Sequence, residues 1–523
     1  MKRHRIRVKV EFEEIDSEIE FFNCEPRKVE DGCFEIDLDG KFAMDIDVCE
    51  QSLLAANFPA IRDALSVHLA EMSKKKTVEE EGKSGVVLAL EEHSSPYRVD
   101  GEVGRFTFTT HELVNWEGKV WFTSRELFPE QRGVCYYETK GFKEVGVFNG
   151  AVDQSYRKVR RNFNHQRRQE QGGTPLNTLR DIAKIEGEKV INYWESTSRE
   201  ILEKNGFNST GALLEEAVVK EGNFVEDGEI NSKAKEMINS WEEADIPDQL
   251  KSEVKSNSVP YERVEKTVEI SVDGVSTKKQ KAHRKSGSDK SEEPKKDDSN
   301  QTKRVNNRIA YIEHNGRKYT LAARNYPTLM RIALAFLLNN TLWDKILCFY
   351  VDGERSITNA ITGCFSWHPR VRLIMDWYHL EHKCAELLSS ALKGRKIRNE
   401  HLERLTYFLW YGCVGKAMEY LNNFPFQDIK NQTALDTLRT YLENHRQKIP
   451  CYALRKQLGL CNSSNRVEKA NNILVSHRQK RNGMSWSEQG SLSLAALSAV
   501  RRNGYQKTWL EYNVVPFTFS EVA

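Results

Sequence analysis

The chain has ten cysteines and not one CxxC pair among them. Cys24, Cys33, Cys49, Cys135, Cys348 and Cys384 are scattered, which argues against zinc knuckles and a disulfide framework and points to a reducing cytosol. Long apolar runs are equally scarce. None approaches the ~20 residues that a bilayer crossing requires. The best of them, Leu329 to Leu338, is interrupted by Arg331 and reads as a core helix. No apolar stretch follows the basic Met1-Lys-Arg-His-Arg, so no secretory leader is expected. Net charge is nearly lacking too: 78 Lys and Arg against 76 Asp and Glu leave +2, too little for whole-chain electrostatics to indicate a polyanionic partner. With 29% charged and 39% hydrophobic residues over 523 positions, the chain reads as soluble, with room for about two to four domains.

Charge is instead concentrated locally. RKVRRNFNHQRR (Arg157 to Arg168), Lys278 to Lys285, and a third run with His477, Arg478, Lys480 and Arg481 are basic. Any one of them fits a solvated face. Three of them flanking a set of carboxylates point to DNA phosphates, with Arg157, Lys158, Arg160, Arg161, Arg167, Arg168, Arg478 and Lys480 as the expected contacts.

Those carboxylates are Asp273, which ends the apolar run in VEISVDGVS, Asp352, which ends ILCFYVDGERS, and Glu468 in SSNRVEKANN. Two strand-end aspartates and a helical glutamate suit a two-metal phosphoryl-transfer site, where shared carboxylates clamp the attacking and leaving oxygens. Magnesium takes one or two carboxylates per ion plus water and phosphate oxygens. Each aspartate also precedes glycine, so each alone fits an ordinary Asp-Gly turn. Glu468 alone fits a helix-surface charge, flanked as it is by Arg466 and Lys469. The preceding Ser-Ser-Asn supplies a cap, which puts Glu468 near a helix N-terminus.

Five blocks in order carry a resemblance over roughly Val264 to Tyr505: SVDGVSTKKQK, FYVDGERSITNAI, MDWYHLEHKC, IPCYALRKQLGLCNSSNRVEKANN and NGMSWSEQGSLSLAAL. Together they resemble the DDE transposases of bacterial insertion sequences, and DWYHLEHKC (Asp376 to Cys384) resembles the C/D-x-x-H element of Mutator-like transposases. The resemblance implies an RNase H-like α/β core with an all-α insertion between the second aspartate and the glutamate. It implies two Mg2+ (or Mn2+) ions, with Asp273 bridging both and Asp352 and Glu468 completing one each. The implied activity is cleavage at terminal inverted repeats and joining of the exposed 3′-hydroxyl to target DNA. The implied form is a homodimer or higher oligomer on double-stranded DNA, in the cytoplasm at the nucleoid. An RNase H-like nuclease without strand transfer and a domesticated DNA-binding protein are the alternatives. No tyrosine or serine recombinase pattern accompanies the blocks.

Asp376 and His379 would share a helix face and are accessory candidates. Asp376 also competes for the role of second aspartate, Asp352 being preferred for its longer preceding strand. Trp377, Tyr378 and Trp486 read as core aromatics.

Along the chain, residues 1–150 read as a β-rich accessory module. RIRVKVEFEEI, CFEIDLDGKFAMDIDV and GRFTFTTHELVNWEGKVWFTSRELF alternate as half-buried strands do, with a helix over Leu53 to Met72 and a linker-like KKKTVEEEGKSG. Residues 151–260 read as helical, with a helix–turn–helix after QGGTP and Gly187 at a tight turn, then an acidic connector. The core is expected over 261–379, with a low-complexity disordered loop at 287–303 and a hairpin at Asn315-Gly316. The insertion follows at 380–450, and 451–523 returns to the core with the glutamate.

Overall fold

The computed structural model describes residues 27–35, 46–81, 86–87, 94–115, 120–122, 127–128, 136–214, 224, 266–280, 304–457, 459–463, 465–480 and 484–520. RIRVKVEFEEI, most of the acidic connector and the loop at 287–303 lie outside them. The chain forms two compact units, Met1–Phe142 with Arg160–Pro175, and Lys143–Val159 with Leu176–Ala523. The boundary expected at residue 150 therefore lies earlier, and a later stretch returns to the first unit. No described helix is long and apolar enough to cross a membrane, and none of the described cysteines forms a disulfide.

The first unit is a helix and sheets. A short antiparallel pair, β1 (Arg27–Glu30) and β2 (Cys33–Glu35), precedes the long helix α1 (Ile46–Glu81). Two expectations fail here. Ile46-Asp47-Val48 begins the helix instead of continuing a strand, and the supposed linker KKKTVEEE is helical to Glu81. Lys and Glu are good helix formers, so polarity alone was a poor sign of a linker. Strands β3 (Val86–Val87), β4 (Ser94–Gly101), β5 (Gly104–Asn115), β6 (Val120–Phe122) and β7 (Tyr136–Glu138) follow, in the order β3-β5-β4-β7 with β6 on β5. Tyr97, Val99 and Phe108 form the core of this sheet. Buried Asp100 accepts from Arg105 Nε at 2.8 Å and from Thr174 Oγ1 at 2.9 Å. Thr174 is thus a buried tether.

Helix α2 (Tyr156–Gln166) carries the arginine run, and α3 (Leu176–Lys204) is one unbroken helix. The turn expected at Gly187 is absent. Gly187 is buried inside α3, where a Cβ would stand 2.4 Å from both the carbonyl oxygen and the Cβ of Ser493. The glycine exists to let two helices touch. With Val190, Ile191 and Trp194 also buried, α3 is a core helix of the second unit, without the break that a helix–turn–helix at Gly187 requires.

The second unit is a mixed α/β body. Its sheet comprises β8 (Thr267–Lys278), β9 (Arg304–His314), β10 (Arg317–Ala323), β11 (Ile346–Val351) and β12 (Val371–Met375), in the order β10-β9-β8-β11-β12. β9 runs antiparallel to both β8 and β10, whereas β11 runs parallel to β8 and to β12. All six residues of β11 are buried, as a central strand covered on both faces requires. Asn315 and Gly316, both at positive φ (49° and 78°), turn β9 into β10.

Helix α4 (Tyr326–Asn339) is capped by Asn325, whose side chain accepts from Thr328 N, and has Pro327 near its start. Then come α5 (Arg355–Phe365), α6 (Trp377–Ala391), α7 (Arg395–Trp410), α8 (Val414–Asn422) and α9 (Gln432–His445). Leu380, Leu388, Leu405, Leu409, Leu435 and Leu438 give α6, α7 and α9 a common core, which also takes in the buried Tyr452 of the short α10 (Tyr452–Gln457). Helix α11 (Asn465–Asn471) runs on through a π-helical stretch, Asn472–Ser476, to Gln479. Helices α12 (Glu488–Arg502) and α13 (Gln506–Tyr512) end the unit, with α12 against α3 and β10.

Candidate active site

The register of the parallel strands decides where the aspartates stand. Tyr350 lies opposite Ser271, so two residues further along Asp352 comes level with Asp273. Val351 lies opposite Met375, so one residue further along Asp352 comes level with Asp376. Three neighbouring strands therefore present an aspartate at one level of one sheet edge, the carboxyl end of β11, where open α/β sheets place their ligands.

The three do different things. Asp376 is 1% exposed and caps α6, its Oδ1 accepting from His379 N at 2.9 Å. Its carboxylate caps the helix end, whereas that of Asp352 binds within its own loop. Asp352 is half-buried, with Oδ1 accepting from Glu354 N at 2.8 Å.

Asp273 does not end its strand, contrary to the sequence expectation. β8 continues to Lys278, paired with β9 throughout, and Asp273 lies opposite Ile309. What ends near Asp273 is the pairing with β11. The glycine after it is explained by crowding. A Cβ at Gly274 would stand 2.5 Å from Arg308 Nη1 and 2.6 Å from Tyr326 Oη. Gly353, after Asp352, has φ +93°, and a Cβ there would meet Tyr441 Oη at 3.1 Å and His445 Nε2 at 3.3 Å. The loop bearing Asp352 thus lies against α9.

Glu468 sits in the first turn of α11, as its cap signal predicts. Buried contacts hold this helical run against the sheet. Gln479 accepts from Trp486 Nε1 at 3.0 Å through its carbonyl, and Trp486 N donates to Lys278 O at 2.9 Å, at the end of β8. Asn307 of β9 donates to Ser491 Oγ at 2.7 Å, and Ser491 Oγ donates to Gln479 Oε1 at 2.5 Å. Glu468 Oε1 is 3.4 Å from His379 Nε2. Asn471, one turn later, donates from Nδ2 to Asp273 Oδ2 at 2.5 Å, while Gly274 N donates to Asp273 Oδ1 at 2.6 Å.

The electrostatics are those of a carboxylate cluster. Burial pushes the Asp273 carboxyl up to about 6, and the charges of Asp352 and Glu468 push the same way against the Gly274 N–H and His379. Among the described residues no three His, Cys, Asp or Glu side chains are gathered closely enough to hold a metal ion as they stand, Glu468 being turned to His379 and Asp376 to its helix cap. The donor set nevertheless suits a hard cation: three carboxylates, of a strand, the loop after its neighbour and a helix, and a buried Asn471 Oδ1 with no hydrogen-bond partner among the described residues.

The expected DNA contacts divide in two. Arg157, Lys158, Arg160 and Arg161 are exposed on α2, and Lys480 at the end of the Glu468 helical run. Arg167 and Arg478 are not available. Arg167 is 7% exposed, stacked on Phe163 with Cζ at 3.9 Å from the ring centroid and donating to Glu102 O. Arg478 is 3% exposed, donates to Ala151 O at 2.9 Å and lies over the Tyr156 and Trp486 rings. Both act as packing cations, a use of arginine that a run of basic letters cannot reveal. Arg168 is half-buried, at φ 51° beyond the end of α2. Trp486 is buried, as expected, and Trp377 packs at the edge of the α6–α9 core. Tyr378 is instead 53% exposed beside the ring of His382.

Sequence reasoning missed Asn471, Tyr441 and His445, whose only sequence signal was proximity to a motif or membership of an amphipathic helix. Residues 253–513 match an uncharacterised protein family (UPF0236). No curated protein and no solved structure matches the chain.

Proposed function

We propose that this chain is a DDE transposase, with an RNase H-like core, that cleaves the ends of a mobile element and joins them to target DNA. The observation that carries the reading is the level placement of Asp273, on β8, and Asp352, just past the end of the parallel neighbour β11, with Glu468 close enough to raise the Asp273 pKa. The sheet order, with one antiparallel strand inside an otherwise parallel central set, supports the same fold assignment. The helices between β12 and Glu468, with their own core, support the helical insertion.

Asp273, Asp352 and Glu468 would hold Mg2+ or Mn2+. Such ions, when bound, supply Lewis-acid activation of the attacking oxygen and neutralise charge on the leaving one. The chain's own groups orient this donor set. Gly274 N–H and Asn471 fix the Asp273 carboxylate, and His379 holds Glu468. The chemistry is two in-line displacements at phosphorus. Water first breaks a phosphodiester, leaving a 3′-hydroxyl and a 5′-phosphate. That hydroxyl then attacks a target phosphodiester, forming the new P–O bond as the target strand's own 3′-oxygen leaves and takes up a proton. The exposed cations of α2 and of the Glu468 run provide phosphate contacts, and two copies on paired ends would form the active assembly.

The test is incubation of the full chain with Mg2+, a labelled duplex carrying the terminal inverted repeats that flank the gene, and a plasmid target. Ends joined to plasmid support the proposal. Ends that are cut and never joined indicate a nuclease, and intact bound ends a DNA-binding protein.

A further inference from the structure

We propose that Asn471 is a positioning residue of this carboxylate centre, fixing Asp273 through Nδ2 and offering the site a buried acceptor through Oδ1. The inference rests on the reading of Asp273, Asp352 and Glu468 as a divalent-cation site. It stands on four observations. Asn471 follows Glu468 by three positions, so the two share a face of α11. Its Nδ2 donates to Asp273 Oδ2 at 2.5 Å. Only 6% of the residue is exposed. Its Oδ1 is buried and has no hydrogen-bond partner among the described residues.

The orientation of the amide follows from chemistry. An ionised carboxylate only accepts hydrogen bonds, so the amide must turn NH2 to Asp273 and leave the oxygen on the other side. A buried acceptor without a donor is costly and is rare in native proteins. It becomes intelligible where a hydrated cation or a substrate group supplies the missing donor. Asp273 then has one donor on each oxygen, Gly274 N–H and Asn471, which fixes its plane before any ligand arrives. A leucine of similar volume would keep the packing and remove both functions. An aspartate would place a fourth carboxylate against Asp273.

The experiment titrates the full chain with MnCl2, by calorimetry and by electron paramagnetic resonance, and records thermal unfolding with and without MnCl2. Asn471→Leu is expected to weaken Mn2+ binding by about tenfold or more, the usual effect of losing a group that orients a ligand. Asn471→Ser serves should the leucine variant fail to fold, and is expected to weaken binding in the same direction. Asn471→Asp is expected to unfold at a lower temperature than the parent without metal and to gain more from Mn2+, a crossing that mere packing damage would not produce. Variants that bind Mn2+ like the parent, with no added gain for the aspartate, overturn the role of Asn471. Asp352→Asn separates the two levels of the argument. If it binds Mn2+ as the parent does, the cation-site reading falls and Asn471 with it. If it loses binding while the Asn471 variants keep it, only the role of Asn471 falls.

Discussion

Asp273→Asn is expected to stabilise the metal-free chain at neutral pH, although it removes one of the three carboxylates of the proposed cation site. The reason is the position of its carboxyl, pushed up to about 6 from an ordinary 3.8 by burial and by the neighbouring Asp352 and Glu468 charges. A carboxyl whose folded pKa is raised binds its proton more tightly in the native state than in the unfolded one. Below pH ~4 both states are protonated and nothing is lost. Between ~4 and ~6 the unfolded chain ionises while the native site resists, so native stability falls as pH rises. Above ~6 the loss is complete, about 3 kcal/mol at ~1.4 kcal/mol per pH unit. Asparagine does not ionise, and the Asn471 amide can turn its orphaned Oδ1 to the new NH2. In EDTA, urea unfolding should therefore show Asp273→Asn more stable than the parent at pH 7.5 by up to about 3 kcal/mol, with the difference gone near pH 4. Parallel pH profiles for the two proteins would refute the argument that Asp273 bears uncompensated charge.

Gly187→Ala gains ~1 kcal/mol of helix propensity, but its Cβ would meet the Ser493 backbone at 2.4 Å. The clash, against backbone that cannot swing aside, should cost about 3 kcal/mol and so win by roughly 2, and a variant as stable as the parent in denaturant unfolding would contradict the observed helix contact. Replacing exposed Arg160 and Arg161 together by Ala should weaken binding to every DNA sequence and flatten the log–log salt dependence by roughly 0.9 per lost phosphate contact. An unchanged slope would assign them to base reading or to a solvated face. Arg478→Ala should lower stability through its lost contacts with Ala151, Tyr156 and Trp486 and leave that slope unchanged; a flatter slope would return Arg478 to the DNA surface.

Much of the second unit was legible because its signals are local. ILCFYV is continuously apolar because β11 is buried on both faces. Asn315-Gly316 turns because both residues adopt positive φ, and Asn325 with Pro327 starts α4 where cap and φ preference place it. The carboxylates were legible as positions, and the shared level of Asp273 and Asp352 follows from the parallel pairing. What could not be read depends on partners distant in sequence. Gly187 looks like a turn until Ser493 stands against it. Asp273-Gly274 looks like a strand end until Arg308 and Tyr326 explain the glycine. Arg478 looks like a phosphate clamp until the Tyr156 and Trp486 rings cover it. Asn471 carries no signal of its own, because its importance lies in a bond to a residue 198 positions away.

The most direct test of the account is Asp352→Ala, assayed for binding and for cleavage on the same terminal-repeat DNA with Mg2+. Asp352 comes level with Asp273 just past the end of β11, and among the described residues its side chain accepts only from Glu354 N, so its loss should leave the fold and the exposed cations in place. The predicted result is DNA affinity within about twofold of the parent, since no phosphate contact is removed, and no detectable cleavage or joining. Cleavage at the parental rate would contradict the assignment of Asp352 to the reaction.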